Sequence, residues 1–143
     1  MNVATVLKAK GRAVATAHTE TILKDIAIQL AQKKIGAIVV VDDRDEVVGI
    51  VSERDLVRAI ASGGHEVLQT PVTDSMTRDV ITCGEERTID ELMELMTKGR
   101  FRHVPVVNNG KLIGLVSIGD VVKNHIAEVE MEVSAMRDYL STG

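Results

Sequence analysis

Tryptophan is absent from the chain, and Phe101 and Tyr139 are its only phenyl-ring side chains. Flat surfaces on which nucleic-acid bases stack are therefore scarce. A single cysteine, Cys83, excludes an intrachain disulfide framework and a cysteine metal cluster. It reads as a small, buried or half-buried thiol. No apolar run approaches the ~18 residues that span a bilayer, and the N-terminus lacks the sustained apolar core of a signal peptide. A cytoplasmic setting without membrane contact is expected. The four histidines, His18, His65, His103 and His125, lie scattered, and no metal site is expected. The chain also lacks a strong excess of one charge. Its formal net charge is -4, with acids and bases mixed, which argues against a nucleic-acid partner. Local basic spots still suffice for a small anion.

Aliphatic residues supply most of a hydrophobic fraction of 45%, so 143 residues can bury a real core, as one domain or as two small ones that share it. Val3, Val6, Leu7 and Lys10 fall at helical spacing, Val3, Val6 and Leu7 cover one edge of the core, and Gly11 is the stop. Val14-Ala15-Thr16 is a short strand candidate. Thr19 or Thr21 can cap a helix with Ile22, Ile26 and Leu30 on one face, ending at Lys33, Lys34 and Gly36. The β-branched run Ile38-Val39-Val40-Val41 predicts a strand buried on both faces. Asp42 to Asp45 reads as a turn and Val47 to Val51 as the returning strand. Ser52 then caps a helix carrying Leu56, Val57 and Ile60. Residues 62 to 75 form a short linker containing Gly63, Gly64 and Pro71.

The same succession then returns. Val80-Ile81 is the short strand, and Thr88 begins a helix with Ile89, Leu92, Met93 and Met96. Val104 to Val107, the turn Asn108-Asn109-Gly110 and Leu112 to Val116 give two strands, and Ser117 opens a helix with Val121, Val122 and Ile126. Gly49 and Gly114 stand 65 residues apart, as do Ser52 and Ser117, and Asp55 and Asp120. Upstream the offset becomes 66, matching Val40 to Val106 and Gly36 to Arg102, because the second turn is one residue shorter. Agreement that survives a shifted offset marks a duplicated strand–helix–strand–strand–helix unit. So small a unit leaves an apolar sheet face open, which its copy would cover. An α+β fold is expected, with the two units as a pseudo-two-fold pair over one shared core. Residues 128 to 140 read as a further helix with Val129, Val133, Met136 and Leu140 on one face, packed on its own domain or across a dimer.

Each copy carries Gly-x-x-Ser-x-x-Asp where a strand enters a helix. The glycine permits close backbone approach. The helix N-terminus offers free N–H groups and partial positive charge, a natural place for phosphate. The serine hydroxyl can donate to a phosphate, and the aspartate can accept from two ribose hydroxyls, as acidic residues do in other folds. The same pair also serves as an ordinary cap and first-turn acid. Two copies in register favour a site. Arg102 and His103 can reach a phosphate across a cleft, and Arg54, near the pseudo-axis, can serve the opposite site.

From about Lys8 to His125 the sequence resembles a tandem pair of CBS domains, or Bateman module, of the stand-alone bacterial type. The resemblance rests on Leu7-Lys8-Ala9-Lys10-Gly11, on Thr73-Asp74-Ser75-Met76-Thr77 and on Arg102-His103-Val104-Pro105-Val106, beside the repeated motif. It implies β-α-β-β-α CBS units over residues 8–62 and 73–127, and a C-terminal helix and tail over 128–143. It also implies two clefts for an adenine nucleotide or related adenosyl ligand (AMP, ADP, ATP, NAD(H) or S-adenosylmethionine). In one cleft Asp120 would hold the ribose and Ser117 would contact ribose or phosphate. The backbone around Arg78, Val80 and Ile81 would meet the adenine edge, Val104 and Pro105 would line the base pocket, and Arg102 and His103 would lie near phosphate. In the other, Asp55 and Ser52 would play the same parts, Thr16, Ala17, Ala37 and Ile38 would flank the base, and Arg54 would add charge. Gly36-Ala37 stands where the second copy has Arg102-His103, so unequal sites are expected, with the Asp120 site stronger. Members of the family commonly pair into homodimers through their helices, and no structural metal is implied.

No nucleophile, base and orienting acid stand out: Cys83 and His103 have no evident partners. Some dehydrogenases of nucleotide biosynthesis carry this module, but their catalytic barrel needs about 250 residues. The expected role is regulatory and not enzymatic. A ligand that favours one shape would modulate a separate, unidentified partner protein. The alternative is a structural dimerisation module with vestigial nucleotide clefts.

Overall fold

A computed structural model of the chain describes residues 1–142. The first unit comprises β1 (Thr16–His18), α1 having preceded it (Val3–Lys10), then α2 (Leu23–Lys33), β2 (Ala37–Val41), β3 (Val47–Ser52) and α3 (Glu53–Gly63). Two 3₁₀ turns, His65–Gln69 and Val72–Asp74, lead to the second unit of α4 (Ile89–Gly99), β4 (His103–Asn108), β5 (Lys111–Ser117) and α5 (Ile118–Thr142).

β1 runs parallel to β2, and β2 antiparallel to β3. β4 and β5 repeat the antiparallel pair, with Val106 opposite Gly114 as Val40 is opposite Gly49. Every residue of β2 is buried, as the uniform β-branched run predicts. The short strand of each unit lies two residues later than the sequence suggests. In the first unit it pairs Ala17 with Val40. In the second it shrinks to one parallel bridge, Cys83 with Val106, and Val80-Ile81 is no strand. Cys83 donates from its amide to the Pro105 carbonyl (3.1 Å) and accepts from the Val107 amide (2.9 Å).

Helix starts separate the two units. Thr88 accepts from the Glu91 amide (3.1 Å) and Glu91 returns the bond, a full capping box. α2 instead has Ile22 as its N-cap, with no side-chain cap, and the Thr21 hydroxyl accepts from the His18 amide. Lys34 and Arg100, 66 residues apart, end α2 and α4 in the left-handed conformation. The sequence predicts two helices over 117–140; α5 is one unbroken helix of 25 residues, since no glycine or proline falls between Gly119 and Thr142 to break it.

One shared core was also expected, and here the structure differs. Leu23, Ile26, Leu30, Ile38, Val40 and Val51 form one cluster; Ile89, Leu92, Met96, Val104, Val106, Val116 and Val121 form another. The units are joined by exchange. α1 precedes the first unit, yet its Val3, Val6 and Leu7 are buried in the second cluster. Val72 and Met76 precede the second unit, yet lie in the first. Each buried side chain of this size contributes about 1.5–3 kcal/mol, so the crossings hold the units together strongly.

The exchange explains the repeated glycines. A Cβ on Gly114 would fall 2.7 Å from Leu7 Cδ1, and a Cβ on Gly49 would strike the Met76 sulfur. Gly49 and Gly114 make room for the neighbour's crossing side chain, not for a ligand.

Candidate functional site

The repeated Ser-x-x-Asp has a local role in both copies. Ser52 donates from its amide to Asp55 Oδ2 (2.8 Å), and the Asp55 amide donates to Ser52 Oγ (3.3 Å). Ser117 and Asp120 do the same at 2.9 and 3.2 Å. The three-residue spacing is that of a capping box. The first amides of both helices are held alike: Glu53 donates to the Gly36 carbonyl (3.0 Å) and Ile118 to the Arg102 carbonyl (2.8 Å). Each helix start is thereby fixed to the strand entry beside it.

Both starts open on one cleft of about 530 Å³. The first unit contributes Gly36, Ile50, Ser52, Glu53, Arg54, Asp55 and Arg58; the second contributes Thr77, Arg100, Phe101, Arg102, His103, Ser117, Ile118 and Gly119. Four arginines and a histidine thus face two helix N-termini, against only Glu53 and Asp55 as acids. The partial charges of the helix ends add to the guanidinium charge, so the cleft suits an anion.

The grouping differs from the expected one. Arg102 and His103 share their cleft with Ser52, Arg54 and Asp55, and Asp120 is not among its lining residues. Asp120 instead bonds Lys10 of α1 at 2.5 Å, and Lys10 also donates to the Leu115 carbonyl (2.9 Å). The crossing of α1 onto the second unit causes this, by carrying Lys10 to the start of α5. Ser117 reaches both places. Ala17, Ala37, Ile38 and Val104 are buried to within a few per cent, and Pro105 is buried as well. Their side chains face packed interior and do not line the cleft. Val80 is half-buried, Ile81 and Arg78 are exposed, and Arg78 donates to the Thr73 carbonyl (2.9 Å). Thr16 lines a separate hollow of about 390 Å³ with Arg12, Val14, Val41, Asp45, Lys111 and Leu112.

The sequence pattern does not single out Arg58, Arg100, Phe101 and Thr77, which line the cleft, or Lys10, which pairs with Asp120. Arg58 had a usable signal, lying one helical turn beyond Arg54. Arg100 is the counterpart of Lys34 at a helix end, but only the fold turns it into the cleft.

Partial burial would raise the Asp120 carboxyl, but donation from Lys10 and Ser117 outweighs it and holds the group below the usual range. Burial, then the nearby Lys10, pushes His103 below its ordinary value. Burial pushes the Cys83 thiol up to about 11, so it stays protonated and unreactive. The scattered histidines do yield one grouping: ligand atoms of Asp90, His125 and Glu128 lie within 4.8 Å of one another. Glu128 there accepts from the N-terminal amine at 2.6 Å, and Asp90 is exposed. No helix among the described residues is long and apolar enough to cross a membrane.

The family model of the CBS domain matches twice, over residues 11–62 and 72–126. The chain belongs to the CBS-domain family. Its two CBS units superpose on the CBS-domain containing protein ATU1752 from Agrobacterium tumefaciens with a TM-score of 0.84 at 48% identity, covering 87% of this chain and 99% of that one. The CBS domain pair of protein MJ0100, in complex with 5′-methylthioadenosine and S-adenosyl-L-methionine, gives 0.80 at 26% identity, covering 90% and 98%. The CBS domain protein PAE2072 from Pyrobaculum aerophilum, complexed with AMP, gives 0.75 at 28%, covering 84% and 89%. The chain spans 71%, 64% and 60% of the first three curated relatives it matches.

Proposed function

We propose that the CBS pair is a regulatory module that binds an adenine nucleotide in the cleft between its units and changes the activity of a separate partner protein. One observation carries the reading. The starts of α3 and α5, one from each unit, converge with Arg54, Arg58, Arg100 and Arg102 on a single cleft. Phosphate oxygens between them gain charge-assisted hydrogen bonds from both units. A ligand held this way favours one relative placement of the units, which is what a sensor requires. Relatives that bind AMP, or 5′-methylthioadenosine and S-adenosyl-L-methionine, support the adenosyl class. The arginines select within it: a sulfonium cation is repelled where a phosphate is attracted, so AMP, ADP or ATP is favoured over S-adenosylmethionine.

The Asp55 side of the cleft is the preferred seat. Asp55 lines it with one carboxylate oxygen committed to the cap, leaving the other for ribose. A ribose at Asp120 would compete with the Lys10 ion pair.

Calorimetry with AMP, ADP, ATP, NAD(H) and S-adenosylmethionine tests the proposal, on the full chain and on Arg102→Ala, Asp55→Ala and Asp120→Ala. The expected result is binding of an adenine nucleotide that weakens roughly tenfold or more in Arg102→Ala, the loss of one charge-assisted contact at about 1.5–3 kcal/mol. It should weaken in Asp55→Ala more than in Asp120→Ala. No heat with any of these compounds would overturn the sensor reading in favour of a purely structural module.

A further inference from the structure

We propose that Asp90, His125 and Glu128 form a site for one divalent transition-metal ion of the zinc class. Asp90 is distant in sequence from the other two, and core packing brings it to them. Ile89 of α4 and Val121 of α5 are fully buried in the same cluster. Asp90 follows Ile89 in the first turn of α4. His125 and Glu128 follow Val121 at steps of four and three residues, on one face of α5. The ligand atoms of the three residues all lie within 4.8 Å of one another. None of the three lines the arginine cleft.

The histidine is what points to a ligand. Its Nδ1 is shut off from solvent and has no hydrogen-bond partner among the described residues. A ring nitrogen left in that state is costly unless something else takes up its lone pair. The facing oxygen, Asp90 Oδ1, stands 3.6 Å away. That is too long for a hydrogen bond. It is close to the edge, about 3.3–3.4 Å, of a tetrahedron whose corners lie about 2.0–2.1 Å from a central ion. The place also draws positive charge, since Glu128 Oε1 holds the N-terminal ammonium at 2.6 Å. Glu128 has a second carboxylate oxygen to offer, and the exposed Asp90 can turn to close the remaining gap. The donor set selects the ion. Magnesium and calcium take oxygen ligands throughout, whereas imidazole suits zinc and its first-row neighbours. Three protein ligands leave a fourth corner for water. The ion ties the first turn of α4 to α5. A long ion pair between a protonated His125 and Asp90 is the competing account, and it predicts no uptake of metal.

The test uses the full, untagged chain without nucleotide, so its outcome is independent of the cleft. Zinc titrated by calorimetry should bind at one ion per chain, and excess magnesium should not displace it. Binding should weaken at least about tenfold in His125→Gln and in Asp90→Asn, since changes to groups that merely support a metal ligand already cost that much. Cobalt in place of zinc should give the visible absorption of a four-coordinate ion, and His125→Gln should abolish it. Zinc should also raise the urea midpoint of the unaltered chain and leave that of His125→Gln where it was. Neither altered side chain belongs to a core cluster, so both variants should fold, which their metal-free midpoints check. His65→Gln removes an exposed histidine outside the grouping and should bind zinc as the unaltered chain does. The buried, protonated Cys83 does not compete for the ion. Absence of zinc uptake, uptake undiminished in His125→Gln, or an equal loss in His65→Gln would overturn the proposal.

Discussion

His103 shows how much one side chain's setting decides. It starts β4, half-buried in the cleft, with the ring 3.6 Å from where a Cβ on Gly36 would stand. Burial comes first and the Lys10 ammonium second in depressing its pKa, with Asp120 and Glu53 pulling the other way. The folded protein therefore binds this proton less readily than the unfolded chain. The resulting stability is present above the ordinary value of 6.5 and is lost as the pH falls from there toward the depressed folded value. A phosphate in the cleft reverses the sign locally, since an anion favours the imidazolium. The His103 titration midpoint, followed by NMR, should thus rise when AMP or ATP binds, and nucleotide affinity should increase between about pH 8 and pH 6. His103→Gln should abolish that pH dependence while leaving binding itself measurable. An unmoved midpoint in the presence of bound nucleotide would place the phosphate elsewhere.

At the scale of elements, α1 is the informative case. Its apolar spacing is plain in Val3, Val6 and Leu7, and so is its stop at Gly11. The address of the buried face is not, because a helix pattern states that a face is covered but not by what. Contact with Gly114 supplies the address. Gly114→Ala should cost about 1–3 kcal/mol by overpacking against Leu7. Leu7→Ala should cost about 2–5 kcal/mol by leaving a cavity. The double variant should cost clearly less than the sum, since the added methyl occupies part of the space vacated. Urea denaturation measures all three, and strict additivity would mean that the two residues do not share the space. The cap residues Ser52, Thr88 and Ser117 and the buried strand β2 were equally legible, because their signals are local. Val80-Ile81 misled because a β-branched pair has strand propensity wherever it falls, whereas the pairing at Cys83 is set by register with β4. The continuity of α5 was hidden by its change of surroundings, from a packed first turn to an exposed stripe.

On the scale of the whole molecule, the exchange of α1 and of the Val72–Met76 segment decides both the site and the stability. A duplicated motif was visible at once, but its residues were grouped by unit. The exchange moves Lys10 onto Asp120 and sets Arg102 and His103 opposite Asp55. No feature confined to one copy could have disclosed that. The same crossings mean that neither core is complete within its own unit. If the first cluster opens, Val72 and Met76 come free and the chain leading into the second unit loosens; if the second opens, α1 is released. Each unit on its own is also small for independent stability. The molecule should therefore unfold in a single transition. Ile26→Ala damages only the first cluster and Leu92→Ala only the second, each by about 2–5 kcal/mol. Both should lower one common midpoint, read by hydrogen exchange in β2 and in β4 alike. Exchange in β4 that stays unchanged in Ile26→Ala, or a second resolved transition in denaturant, would show that the units fold independently and that the crossings are mere contacts.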